Sequence, residues 1–163
     1  MNVHIRDVSQ ADSQRLERCI LSLRASHHLK LSMCDALESI ADGLPDQLDI
    51  QTCLTLSRCL LPTVKKAQQL EEEELFPLLL RLTANDPALL ASVERLHKEH
   101  CEDECFAEEI AHLLQECAGE GKAANAEVAG YMLRGFFSAV RRHVAFEREC
   151  LLPLAASAGV LNR

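Results

Sequence analysis

Tryptophan is absent from this chain, tyrosine occurs once, and only six glycines and five prolines are spread over 163 residues. So little turn-forming and aromatic side chain, beside an abundance of Leu, Ala and Glu, describes helices rather than strands. A basic face is missing too. The formal net charge is −8 and the pI is near 5.3, which argues against a nucleic-acid partner held through its phosphates. No apolar run approaches the roughly 20 residues that span a bilayer, and the opening MNVHIRDVSQ lacks the apolar centre of a signal peptide. A cytoplasmic location, away from membranes, is the expectation. The eight cysteines, Cys19, Cys34, Cys53, Cys59, Cys101, Cys105, Cys117 and Cys150, contain no C-x-x-C pair and no zinc-finger spacing. In a reducing compartment a disulfide framework is not expected. Several fall on apolar helical faces, where free cysteine acts as a small hydrophobe. A redox role for the Cys101 and Cys105 pair is the alternative.

What is present fits one domain, since 48% hydrophobic residues suffice for a sizeable core. Helical periodicity and punctuation place four helices at about 12–42, 50–83, 87–118 and 123–155. Asp12 is the expected first cap, and Gly43 and Pro45 stop the first helix. Pro62 predicts a kink or short break in the second. Asn85, Asp86 and Pro87 cap and open the third, which ends before Gly119 and Gly121. Gly130 and Gly135 mark close helix contact in the fourth. Four helices of about 30 residues with short connections make an antiparallel up-down bundle, each rod roughly 45 Å long. Leu54, Leu56, Leu60 and Leu61 read as core, with a homodimer contact as the alternative.

The most informative stretch is HVAFERECLLP, His143 to Pro153. His143 and Glu147 stand one helical turn apart on one face. An earlier copy, AQQLEEEELFP, aligns Glu71 with Glu147, Leu75 with Leu151 and Pro77 with Pro153, and puts Ala67 where His143 stands. Glu71 shares a stripe with Val64, Gln68, Leu75 and Leu78, so it is read as buried and Glu72, Glu73 and Glu74 as solvated. The third helix carries a second pair, His100 and Glu104, with His97 as a further candidate and Asp103 beside the stripe. In the first helix His27 falls in the apolar stripe, while His28 faces water. His4 and His112 are read as exposed. The inward polar set is therefore His27, Glu71, His100, Glu104, His143 and Glu147. Unpaired charge inside a bundle is costly, and three imidazoles with three carboxylates suit two ions bridged by glutamates.

Four segments carry a resemblance over nearly the whole chain: SHHLKLSMCDALESIADGL, EEEELFPLL, RLHKEHCEDE and RRHVAFERECLLPLA. With them the chain resembles the hemerythrin-like family, the HHE cation-binding domain. The resemblance implies a four-helix bundle in which each helix supplies ligands to a non-haem di-iron centre that binds oxygen or senses oxygen, nitric oxide or iron. It implies ligand roles for His27, Glu71, His100, His143 and Glu147. The family's second helix normally bears a His four residues before its Glu, and here that residue is Ala67. Two readings stand: Glu104 completes a carboxylate-rich di-iron set, or the site holds a single ion. A carboxylate-rich set favours oxidised iron, which points to sensing or irreversible oxidation over reversible oxygen carriage.

Three functions follow. The leading expectation is an iron protein for oxygen, nitric oxide or redox sensing, or for iron handling. The second is a di-iron oxidase or peroxide-consuming enzyme. The third is a metal-free helical interaction module with a decayed site, in which the histidines are satisfied separately.

Overall fold

The structure, a computed structural model, describes residues 9–160, which form four helical rods and, among the described residues, no strand. His4 lies outside the described residues. Helix α1, Gln10–Gly43, starts earlier than Asp12 suggests: Ser9 is the cap and accepts the Asp12 N–H. Asp12 instead sits in the first turn and receives Arg81 from the next rod at 2.6 Å. Helix α2 occupies residues 50–82, opened by Asp49, which accepts from the Thr52 N–H. Its α-helical ladder continues through Pro62, so the break expected there does not occur; Pro62 lies on the exposed face.

The ladder changes register elsewhere. Residues Glu71–Leu75 form a π-turn, closed by the Phe76 N–H donating to the Glu71 carbonyl, before α-helix resumes over Phe76–Leu82. Helix α3, Pro87–Glu120, begins at the expected cap, with Asp86 accepting from the Ala88 and Leu89 N–H groups. It passes through Gly119 and ends at Gly121, whose φ of 70° is a left-handed value that glycine adopts without strain. Helix α4, residues 126–160, is capped by Asn125 and carries the second π-turn, Glu147–Leu151.

Contacts between neighbouring rods run in opposite senses. Asp12 meets Arg81 while Lys30 meets Glu71, and Lys65 meets Glu104 while His97 meets Glu72. Phe106 meets Phe136 while Arg95 meets Phe146, and Asp42 meets Arg134 while His27 meets Glu147. Numbers rise along one rod as they fall along the other, the order of antiparallel neighbours. Gly135 lies where an added Cβ would stand 3.4 Å from the Phe106 ring, so the close contact expected there is between α4 and α3. Leu56 and Leu60 are core, and Leu54 and Leu61 are half-buried. Among the described residues no helix is long and apolar enough to cross a membrane.

The core is in two parts. One cluster gathers Met33 to Val64 with Ala107 to Val144, including Leu37, Leu60, Ile110 and Phe136. The other gathers Leu16 to Leu23, Leu75 to Leu96, Leu151 and Ala155. Between them each rod buries polar residues at the same level, and that level is the candidate site.

Candidate metal centre

All four apolar stripes are interrupted where they would otherwise continue. On α1 His27 and Lys30 stand between Leu23 and Met33; on α2 Gln68 and Glu71 stand between Val64 and Leu75. On α3 His100 stands between Leu96 and Ala107, and on α4 His143 and Glu147 stand between Val140 and Leu151. Glu71 and Glu147 are 0% exposed, and His27, Lys30, His100 and His143 are buried with them. Ionisable groups withdrawn this far from water need partners or a cation.

Glu71 lies at the middle. Its Oε2 is 3.0 Å from His100 Nε2 and 3.9 Å from His143 Nε2, while its Oε1 accepts from Lys30 Nζ at 3.2 Å. Glu147 places Oε1 3.5 Å from His143 Nε2 and Oε2 2.9 Å from His27 Nε2 and 3.8 Å from Lys30 Nζ. The imidazoles of α3 and α4 are oriented from behind. His100 Nδ1 is 2.6 Å from Glu72 Oε1, and His143 Nδ1 is 3.3 Å from Glu99 Oε2 and 3.9 Å from Asp103 Oδ2. A carboxylate only accepts, so the Glu72 contact puts a hydrogen of His100 on Nδ1, and Nε2, aimed at Glu71, carries either a second hydrogen or a lone pair open to a metal ion. His100 Nε2 and Glu71 Oε2 face each other at 3.0 Å, both buried and neither in a well-aligned hydrogen bond. A proton or a metal ion between them resolves that opposition. A carboxylate behind the far nitrogen is the usual support of a metal-ligating histidine.

The electrostatics agree with a compact charged centre. Burial works to raise the Glu71 carboxyl, but the Lys30 ammonium, then His100 and His143, outweigh it and hold it well below the usual range. For Lys30 burial works the other way, and Glu71 and Glu147 outweigh it, so its ammonium is held above the ordinary value. Burial opposes charge on His143 also, yet Glu147 and Glu71 push its imidazole up to about 10. A metal ion binding at Nε2 displaces that proton.

Of the six residues expected inward, the structure brings five together: His27, Glu71, His100, His143 and Glu147. Glu104 is not among them. Its side chain is 38% exposed and lies 3.4 Å from Lys65 Nζ. Helix α3 is rotated so that Asp103, three residues after His100, faces inward with a side chain 15% exposed. His28, His97 and His112 are exposed; His97 packs edge-on against Phe76. Three features escaped the sequence reading. Glu72, read as solvated, is half-buried and holds His100. Glu99 stands behind His143, 3.3 Å from its Nδ1 but in no well-aligned hydrogen bond with it. Lys30 is buried in the centre itself, and its spacing, three residues after His27 and four before Cys34, was the available signal.

Two grooves approach this level. One, about 400 Å³, lies between α3 and α4, with His143 and Asp103 among Arg95, Glu99 and Arg142. The other, about 570 Å³, lies between α1 and α2 and includes Ala67, Ser22, Ser26 and Leu29. The ligand atoms of Glu71, His100 and His143 all lie within 4.8 Å of one another.

A four-helix fold that gathers a carboxylate and two imidazoles at such a level defines a helical protein with a metal-type centre. The chain belongs to the hemerythrin HHE cation-binding domain family, whose model matches residues 20–155. No curated protein and no solved structure matches it at a significant level.

Proposed function

We propose that this chain is a non-haem iron protein of the hemerythrin kind, acting in oxygen, nitric oxide or redox sensing, or in iron handling. The observation that carries the reading is the buried pair His100 Nε2 and Glu71 Oε2, 3.0 Å apart and in no well-aligned hydrogen bond. With His143 Nε2 they form the first ligand set, and Glu147 Oε1, also without a hydrogen-bond partner, is the next donor in reach. Imidazole and carboxylate together suit iron. Bound ferrous iron with few protein ligands supplies an open coordination position for a small diatomic. The residues supply the rest. Glu72 holds the His100 imidazole, Glu99 stands behind that of His143, Glu71 balances charge, and the two apolar clusters close the level on either side.

A metal-free interaction module is the competing reading, and one observation favours it: Lys30 already neutralises part of the carboxylate charge. It assigns a proton to the His100 and Glu71 pair, and it leaves the buried His143 Nε2 and Glu147 Oε1 without a hydrogen-bond partner. Elemental analysis after anaerobic loading with ferrous iron and desalting separates the two, with spectra taken on reduction and re-exposure to air. Iron should be retained, lost in His100→Ala and His143→Ala, and unchanged in Glu104→Ala and His28→Ala. A folded wild-type chain that retains no iron or other transition metal would sink the metal reading.

A further inference from the structure

We infer that the Lys30 ammonium occupies the position of a second metal ion, so that the centre holds one iron beside a built-in organic cation. The inference rests on the metal reading above and concerns the number of ions. Once Glu71 Oε2, His100 and His143 serve the first ion, the groups left for a second are Glu71 Oε1, Glu147 Oε2 and His27. Lys30 Nζ is already against two of them, 3.2 Å from Glu71 Oε1 and 3.8 Å from Glu147 Oε2. The third, His27 Nε2, is 2.9 Å from the same Glu147 oxygen. The two carboxylates that would bridge a metal pair instead share an ammonium.

Charge and ligand count agree with this placement. Two buried glutamates bring two negative charges. One divalent ion with Lys30 leaves a net of about one positive charge on these groups, whereas a second divalent ion in place of the ammonium raises it to about two in a core that cannot solvate it. A protonated lysine has three donors and no lone pair, so it fills the space without ligating. In the internal repeat the residue equivalent to His143 is Ala67, which is buried and offers no ligand atom. At this level of the bundle α2 thus lacks a nitrogen ligand and α1 supplies an ammonium. A single iron exchanges one electron, which places the centre with ligand binding or one-electron sensing.

The test counts iron in the wild type and in Lys30→Gln/Ala67→His. This variant removes the ammonium and supplies the missing imidazole beside the groove between α1 and α2, where there is room for it. After anaerobic ferrous loading and desalting, the wild type should carry about one iron per chain and the double variant about two. After oxidation in air the wild type should give the paramagnetic resonance of an isolated high-spin ferric ion, and the variant the silence of a coupled pair. Two irons in the wild type would overturn the Lys30 inference and leave the metal reading standing. No iron in the wild type would overturn the metal reading and this inference with it. A folded double variant that stays at about one iron removes Lys30 as the occupant. If the double variant does not fold, the wild-type count and resonance decide alone.

Discussion

Cys34 and Cys53 lie in the larger apolar cluster, 1% and 0% exposed, where they fill space as aliphatic side chains would. Burial pushes both thiols from an ordinary 9.0 up to about 11. In the unfolded chain these thiols ionise from about pH 9, while the native state keeps its protons until about pH 11. The unfolded state then binds fewer protons, so their contribution to stability is complete below pH 9 and is lost as the pH rises to about 11. Thermal melts across that window should fall less steeply in Cys34→Ala/Cys53→Ala than in the wild type. Exposed Cys101, Cys105 and Cys150 should react rapidly with a thiol reagent in the native protein, and buried Cys19, Cys34, Cys53 and Cys117 only on unfolding. Side-chain placement was legible where a stripe was long. His27 over His28 followed from several turns of periodicity in α1. Glu104 against Asp103 did not, because adjacent residues differ by about 100° around a helix and α3 offers few apolar residues near His100 to set its rotation. Lys30 stayed hidden because lysine is almost never buried without a partner, and its partners lie on α2 and α4.

The repeat noticed as Glu71 to Pro77 and Glu147 to Pro153 is a repeat of backbone geometry. Each π-turn begins at the buried glutamate and closes on the residue just before the proline, Phe76 to Glu71 and Leu152 to Glu147. In an unbroken α-helix each proline ring would meet the carbonyl four residues earlier and leave it without a donor. A wide turn ahead of the proline relieves that conflict, and such turns cluster at functional sites. Proline alone does not produce one, since the chain stays α-helical around Pro62. A π-turn amounts to one extra residue in the helix. Deleting exposed Glu73 should therefore regularise α2 while Glu71 and the Leu75–Leu82 face keep their directions, giving a folded chain with a cooperative melt. Deleting Lys66 from regular helix should rotate everything beyond it by about 100° and abolish folding. Circular dichroism melts of the two variants check this, and equal behaviour would show that the π-turn carries no register role.

Two apolar clusters with a polar level between them make the molecule sensitive to what neutralises that level. An ion that binds the native chain and not the unfolded one stabilises it by about 2.7 kcal/mol at a concentration 100 times its dissociation constant. For a chain of this size that is a rise in melting temperature of roughly 5–10 °C. Ferrous iron should produce such a rise in the wild type under anaerobic conditions, a chelator should reverse it, and His143→Ala should show neither effect. A rise that survives in His143→Ala would place the ion elsewhere on the acidic surface.

Helix number, loop positions, most caps and the stripes carrying His27, Glu71, His100, His143 and Glu147 are local properties. Periodicity, capping chemistry and scarce turn formers act within one or two turns of chain, so they can be read along it. The partners of the centre are set by distances between rods that lie far apart in sequence. Glu72 is one of four consecutive glutamates and is distinguished only by facing His100 across the α2–α3 contact. Lys30 resembles any helix lysine until α2 and α4 bring Glu71 and Glu147 to its ammonium. Local spacing specified which faces are buried; only the packing of four rods decided which charges meet there.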